Sequence, residues 1–207
     1  GVSHLVTAST GNQAIAVTMA GVLMRERFPE TLGEMKIVDF VSLGIVPEKK
    51  AELERLGATI FQRDQLHGTG EGFESYEGAR LYASDIANPS RNPSRLFVPH
   101  GTEVITSFGT MGLEIVEQLR KEGIDPAKEK IAIVVPMGSG GMAVGIERAF
   151  AALGIEPMMI GVQVPSANSM ALSLFEGKEI DLGIRRVLTL HDGIATSRPE
   201  IDVALVR

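Results

Sequence analysis

Along the chain, short runs of apolar and β-branched residues alternate with longer stretches in which apolar residues recur every three to four positions. Residues 5–8, 36–43, 59–62, 96–98, 131–136 and 159–164 read as strands. Their near-continuous apolar character predicts strands covered on both faces. Residues 13–28, 47–56, 76–85, 111–122, 142–153 and 169–175 carry the helical period. Pro47 stands where a first helical turn accepts proline, and Gly57, Gly123 and Gly154 follow helix ends where a left-handed cap is wanted. Strand and helix in alternation predict parallel strands joined by helical crossovers, an α/β fold. Residues 84–99 hold three prolines, two asparagines and two arginines, and read as a surface crossing or hinge between two layers. No internal repeat is visible.

The composition narrows the class without changing that picture. A chain of 207 residues, 44% hydrophobic and 22% charged, can bury a substantial core. Its net charge of −6 offers no basic stripe to a nucleic acid, so a small molecule is the expected partner. Without cysteine there is no disulfide framework, thiolate nucleophile or cysteine-based zinc site, and the cytoplasm is the default location. No apolar run reaches the roughly 18–20 residues of a membrane span, and the first residues lack the pattern of a signal peptide. The chain opens on Gly1 rather than methionine and stops at Arg207 without a turn or cap signal, so both ends read as cut.

Two strand-to-helix junctions carry the candidate chemistry. The first is Ala8-Ser9-Thr10-Gly11-Asn12-Gln13-Ala14. Open N–H groups and the positive end of a helix dipole favour an anion there, although for this loop taken alone a plain helix cap by Ser9, Thr10 or Asn12 is the simpler reading. The second is Pro136-Met137-Gly138-Ser139-Gly140-Gly141-Met142-Ala143-Val144-Gly145, whose glycines and serine at a helix start form a nest of donors suited to a phosphate monoester. Gly145 would allow close packing of that helix on the sheet. Gly138, Gly140 and Ala143 also satisfy a dinucleotide spacing, but that fingerprint needs a carboxylate at the end of the next strand. Gln163-Val164-Pro165 stands there instead. No lysine followed by Ser or Thr comes after the glycines, which excludes a Walker-type loop.

These segments, in this order, resemble the fold-type II pyridoxal-phosphate enzymes of the tryptophan synthase β-subunit type, which include threonine and serine dehydratases and threonine synthase. Ser9-Thr10-Gly11-Asn12-Gln13-Ala14 is similar to the family loop that holds the substrate carboxylate. Glu54-Arg55-Leu56-Gly57-Ala58 resembles the entry to the next strand, and Gly109-Thr110-Met111-Gly112-Leu113-Glu114-Ile115 the return into the large domain. Residues 136–145 resemble the tetraglycine phosphate cradle, with Ser139 replacing one glycine. A weaker match is His191-Asp192-Gly193-Ile194-Ala195, similar to the segment beside the cofactor ring in dehydratases.

The resemblance implies two three-layer parallel-sheet domains, incomplete at both ends: residues 1–105 mostly the small mobile domain, residues 106–207 part of the large one. It implies pyridoxal 5′-phosphate held by Gly138, Ser139, Gly140, Gly141 and Met142, with Asn12 at the ring's 3′ oxygen and Gly193 beside the ring. Ser9, Thr10, Gly11 and Gln13 would hold the carboxylate of a small amino acid. The Schiff-base lysine is expected upstream of Gly1, because none of Lys36, Lys49, Lys50, Lys121, Lys128, Lys130 or Lys178 has its context, and this chain alone is expected to be inactive. The implied reaction is α,β-elimination or replacement, dehydratase-like by 192–195 and threonine synthase-like by Ser9–Asn12, in a homodimer. A non-catalytic module of the same fold and an NAD-binding dehydrogenase are the alternatives.

His4, His67, His100 and His191 are too scattered for a metal site and read as solvated or core histidines. Asp64, Glu71, Glu74 and Glu77 read as a solvated acidic face. Met137, Met142, Met158, Met159 and Met170 read as gap-filling core.

Overall fold

Parallel pairing organises the first half of the chain in the computed structural model, which describes residues 1–62, 73, 76–183 and 191–199. Strands β1 (His4–Ala8), β2 (Lys36–Phe40), β3 (Thr59–Phe61) and β4 (Arg95–Val98) form one sheet in the order β3-β2-β1-β4. Helix α1 (Asn12–Arg27) and the short α2 (Pro29–Leu32) connect β1 to β2, α3 (Pro47–Arg55) connects β2 to β3, and α4 (Tyr76–Ile86) precedes β4.

The period of two along the strands sorts the side chains into two faces. Leu5 and Ile37 face α1 so closely that a Cβ on Gly21 would stand 2.9 Å from Leu5 Cδ2 and 2.8 Å from Ile37 Cδ1. Val6, Ala8, Val38 and Phe40 pack on the other face against Ala79, Tyr82, Ala83 and Ala87. Further along the α1 side, Ala14, Val41, Ile45 and Leu53 close a second cluster. Helices therefore cover both faces, the three-layer arrangement that the apolar strands predict.

The second half is built on two parallel strands, β5 (Ala132–Pro136) and β6 (Met158–Val162). Around them lie α5 (Thr102–Ser107), α6 (Gly109–Lys121), α7 (Gly141–Ala152) and α8 (Ser169–Glu176). Val135, Met137, Val144, Ile146, Phe150, Ile155 and Met170 form the core beneath α7. Val134, Met158, Ile160 and Val162 are in register on the opposite face, and all four are exposed. Coverage on both faces thus holds for β1 and β2 but not, among the described residues, for β5 and β6. Met158 accordingly leaves the set of core methionines.

Two compact units result, one from Gly1 to Pro99 and one beginning at His100. The second unit begins six residues before the expected division at 105/106, and Ile105 of α5 packs in its core. Residues 84–99 are more ordered than a plain crossing: α4 continues to Ile86, Asn88 Oδ1 accepts the Ser90 N–H at 2.9 Å, and β4 pairs with β1. Sequence periodicity also misses α2 and α5, which are too short to show a helical period. Gly57, Gly123 and Gly154 do cap helices with φ of 82°, 80° and 71°. Gly145 packs helix against helix rather than helix against sheet: its Cβ would meet Ile105 O at 2.5 Å and Phe108 Cβ at 2.6 Å. Asp64, His67, Glu71 and Glu74 lie outside the described residues. No helix among the described residues is long and apolar enough to cross a membrane.

Candidate functional site

The first junction belongs to the first unit. β1 delivers the chain to Ser9, and Gly11, in an extended conformation at φ −119° and ψ −160°, precedes Asn12 at the start of α1. No side chain caps the helix, so the cap reading of Ser9, Thr10 and Asn12 is set aside. Ser9 Oγ instead accepts the Gly11 N–H at 3.1 Å, tightening the loop ahead of the helix. No acidic residue occupies the first turn to compete for its amides, while Arg25 and Arg27 balance the dipole at the far end. Ser9 is buried and Asn12 exposed. Gln13 keeps Nε2 buried without a hydrogen-bond partner among the described residues, a donor left over by the fold.

The second junction belongs to the second unit. Met137 extends the β5–β6 pairing by donating its N–H to Val162 O at 2.8 Å, and the chain then turns through Gly138, Ser139 and Gly140 into α7. Gly140 is the cap residue at φ 96° and ψ −12°, a left-handed conformation that favours glycine. No side chain caps α7 either, and its first turn carries no acidic residue, so Gly141 and Met142 present their amides at the positive end of the dipole.

The glycines are also demanded by what surrounds them. A Cβ on Gly138 would stand 3.3 Å from Ile194 Cα and 3.4 Å from Thr196 Cγ2, and one on Gly141 would stand 2.8 Å from His100 Cε1. Residues 193–196 therefore run against Gly138, where Gly193 O would stand 3.7 Å from a Cβ. Met142 contributes only backbone, since its side chain packs in the core. A helix start without a side-chain cap or an acidic first turn, led in by glycine backbone, fits a phosphate monoester, so the residues present fit pyridoxal 5′-phosphate.

Three side chains at this cradle escape sequence reasoning. Gln163, noted only as a missing carboxylate, donates Nε2 to Gly138 O at 3.4 Å and accepts the Ala171 N–H on Oε1 at 2.8 Å. His100 lies against Gly141 although 41 positions separate them, with its ring 6.0 Å from that of Phe108. Thr196 keeps Oγ1 buried without a partner among the described residues. Only tertiary packing brings His100 and Thr196 there, and no motif marks them. No group of His, Asp and Glu residues that could hold a metal ion occurs among the described residues.

Known proteins align with this arrangement. The family described as pyridoxal-phosphate dependent enzyme matches residues 1–207. Threonine dehydratase 1 biosynthetic, chloroplastic, of Solanum lycopersicum is 35% identical over 149 residues, 71% of this chain and 21% of the relative. L-threonine ammonia-lyase of Geobacter sulfurreducens is 28% identical over 203 residues, 96% of this chain and 42% of the relative. The solved structure of the processed form of threonine deaminase isoform 2 from Solanum lycopersicum superimposes with a TM-score of 0.71 at 26% identity, covering 99% of this chain and 51% of that one. The chain thus spans less than half the length of these two relatives and about half of that structure.

Proposed function

Because this chain belongs to the pyridoxal-phosphate dependent enzyme family, we propose that the protein removes the β-hydroxyl of a small hydroxy amino acid, threonine or serine, releasing a keto acid and ammonia. The observation that carries this reading is the uncapped glycine cradle at 138–141, with Gly140 at φ 96° and residues 193–196 packed against it. The relatives named threonine dehydratase and L-threonine ammonia-lyase support the elimination branch. They lend nothing to the threonine synthase-like branch, and no carboxylate follows β6 to support a dinucleotide.

Pyridoxal phosphate, when bound, supplies the electron sink for loss of the α-proton and the β-substituent. In this proposal the amides of Gly138, Ser139, Gly140, Gly141 and Met142 would hold its phosphate, and Asn12 and Gly193 would be the residues that address its ring. Ser9, Thr10, Gly11 and Gln13 hold the substrate carboxylate, with the leftover Nε2 of Gln13 as one donor. In this proposal none of the seven lysines moves the α-proton, because none has the sequence context expected of the Schiff-base lysine. A cytoplasmic homodimer belongs to the same proposal.

The test is spectroscopic first. The purified protein should be yellow, and borohydride should bleach it while fixing the cofactor to a lysine that peptide mapping places outside this chain. L-Threonine or L-serine should then yield a keto acid and ammonia. Cofactor binding without lysine labelling or turnover would make the protein a non-catalytic module; a colourless protein that takes up NAD would sink the reading altogether.

A further inference from the structure

Asp39 is a carboxylate where the fold has no evident use for one. It sits on β2 between Val38 and Phe40, with none of its surface exposed, and so do Thr18 and Thr7 beside it. Thr18 Oγ1, on α1, donates to Asp39 Oδ2 at 2.9 Å. Thr7 of β1 is its neighbour in the sheet register, but spends its hydroxyl on Val98 O at 3.1 Å. Asp39 Oδ1 is buried with no hydrogen-bond partner among the described residues. Among the described residues no charged group faces it from the elements around it: β1 offers Leu5 and Thr7, β3 offers Ile60 in register, α1 offers Ala14, Thr18 and Gly21, and α3 packs on this side through Leu53.

A carboxylate buried among apolar groups and hydroxyls, with no cation to pair, is destabilised against its neutral acid. Burial pushes the Asp39 carboxyl up from 3.8 to about 7, against the smaller downward pull of the Thr18 hydrogen bond. The position of this acid connects it to the first junction. β1 runs from Thr7 straight into Ser9, and α1 runs from Asn12 to Thr18 in under two turns. The Thr18–Asp39 bond is a side-chain hydrogen bond that ties α1 to β2 on this face.

We propose that Asp39 is a positioning residue for the first junction: as a neutral acid it holds α1 on the sheet through Thr18 and so sets where Ser9, Thr10, Gly11, Asn12 and Gln13 meet a carboxylate. This rests on the reading that the junction receives the substrate carboxylate. Ionisation releases the proton to solvent and leaves a charge in an apolar layer; the Thr18 bond strengthens with that charge, but burial outweighs it, so the net effect loosens the docking of α1 and the aim of the loop.

The sign is fixed by linkage. The folded state keeps this proton up to about pH 7, whereas the unfolded chain releases it near 3.8, so the contribution falls as pH rises across that window and levels off above it. In the purified holoenzyme, the infrared band of a protonated carboxylic acid should fade around neutral pH, whereas the thermal midpoint should fall between about pH 4 and pH 7 and level off above. Asp39→Asn, which mimics the neutral acid, should abolish the band and flatten that part of the midpoint-against-pH curve. Thr18→Val should lower the midpoint and Thr18→Ser restore it. KM for L-threonine should rise several-fold from pH 6 to pH 8 in the wild type and stay flat in Asp39→Asn, with the pH profile of kcat shared by both.

An equal slope of stability in wild type and Asp39→Asn would overturn the buried acid. A lost stability slope with identical KM profiles would overturn the positioning role. Absence of turnover with either hydroxy amino acid would defeat the functional reading and the positioning role together, while the infrared and stability measurements still decide the state of Asp39.

Discussion

At Gly140 the backbone turns through φ 96°, where an L side chain costs about 1–2 kcal/mol before any clash. Gly140→Asp adds a carboxylate at the place proposed for a phosphate. The expected outcome is a protein that folds but loses pyridoxal phosphate on dialysis, read by absorbance. Asn12→Ala acts differently, because Asn12 is exposed and caps nothing. It should keep the cofactor, shift its absorbance and lower kcat. Equal cofactor loss in both variants would refute the division of labour between the junctions. Sequence made these positions visible as strand-to-helix glycines and short polar residues. His100, Gln163 and Thr196 were not visible, since no local pattern predicts which distant side chain packs against a loop. The buried Asp39 was equally hidden: in the run Lys36-Ile37-Val38-Asp39-Phe40 it reads as one polar break in a strand.

Between elements, glycines set how closely helices approach, and they are not interchangeable. A Cβ on Gly145 of α7 would meet the backbone oxygen of Ile105 at 2.5 Å, and one on Gly112 of α6 would meet Ala149 Cβ at 2.7 Å and Ile146 O at 2.9 Å. Helix backbone cannot yield as a flexible side chain does, so overpacking here costs about 1–3 kcal/mol or more. Gly57, at φ 82° with nothing within 4 Å of its Cβ position, carries only a conformational cost. Denaturant midpoints should therefore fall most for Gly145→Ala, less for Gly112→Ala and least for Gly57→Ala. A larger loss at Gly57 than at Gly145 would contradict the packing described for α5, α6 and α7. The longer elements were legible because hydrophobic period is a local property, whereas α2 and α5 are too short to show one. That Gly145 serves a helix contact rather than a sheet contact was not legible, because it depends on where α5 and α6 lie.

For the whole molecule, binding to the native state alone adds stability by mass action, about 2.7 kcal/mol at a hundredfold excess over Kd. For a chain of this size that is roughly 5–10 °C in thermal midpoint. Pyridoxal phosphate should raise the midpoint by that order and NAD should not; a shift with NAD alone would reverse the assignment of the cradle. The sequence by itself determined the α/β class, the order of strands and helices, both junctions and the family. Period, turn residues and glycine spacing are written locally, and the resemblance adds their joint order. Tertiary structure alone decided the strand order β3-β2-β1-β4, the division at Pro99 and His100, the face of β5 and β6 left exposed among the described residues, and the burial of Asp39. Each of these depends on which surfaces meet across long stretches of chain, and contact between distant residues leaves no periodic trace in a single sequence.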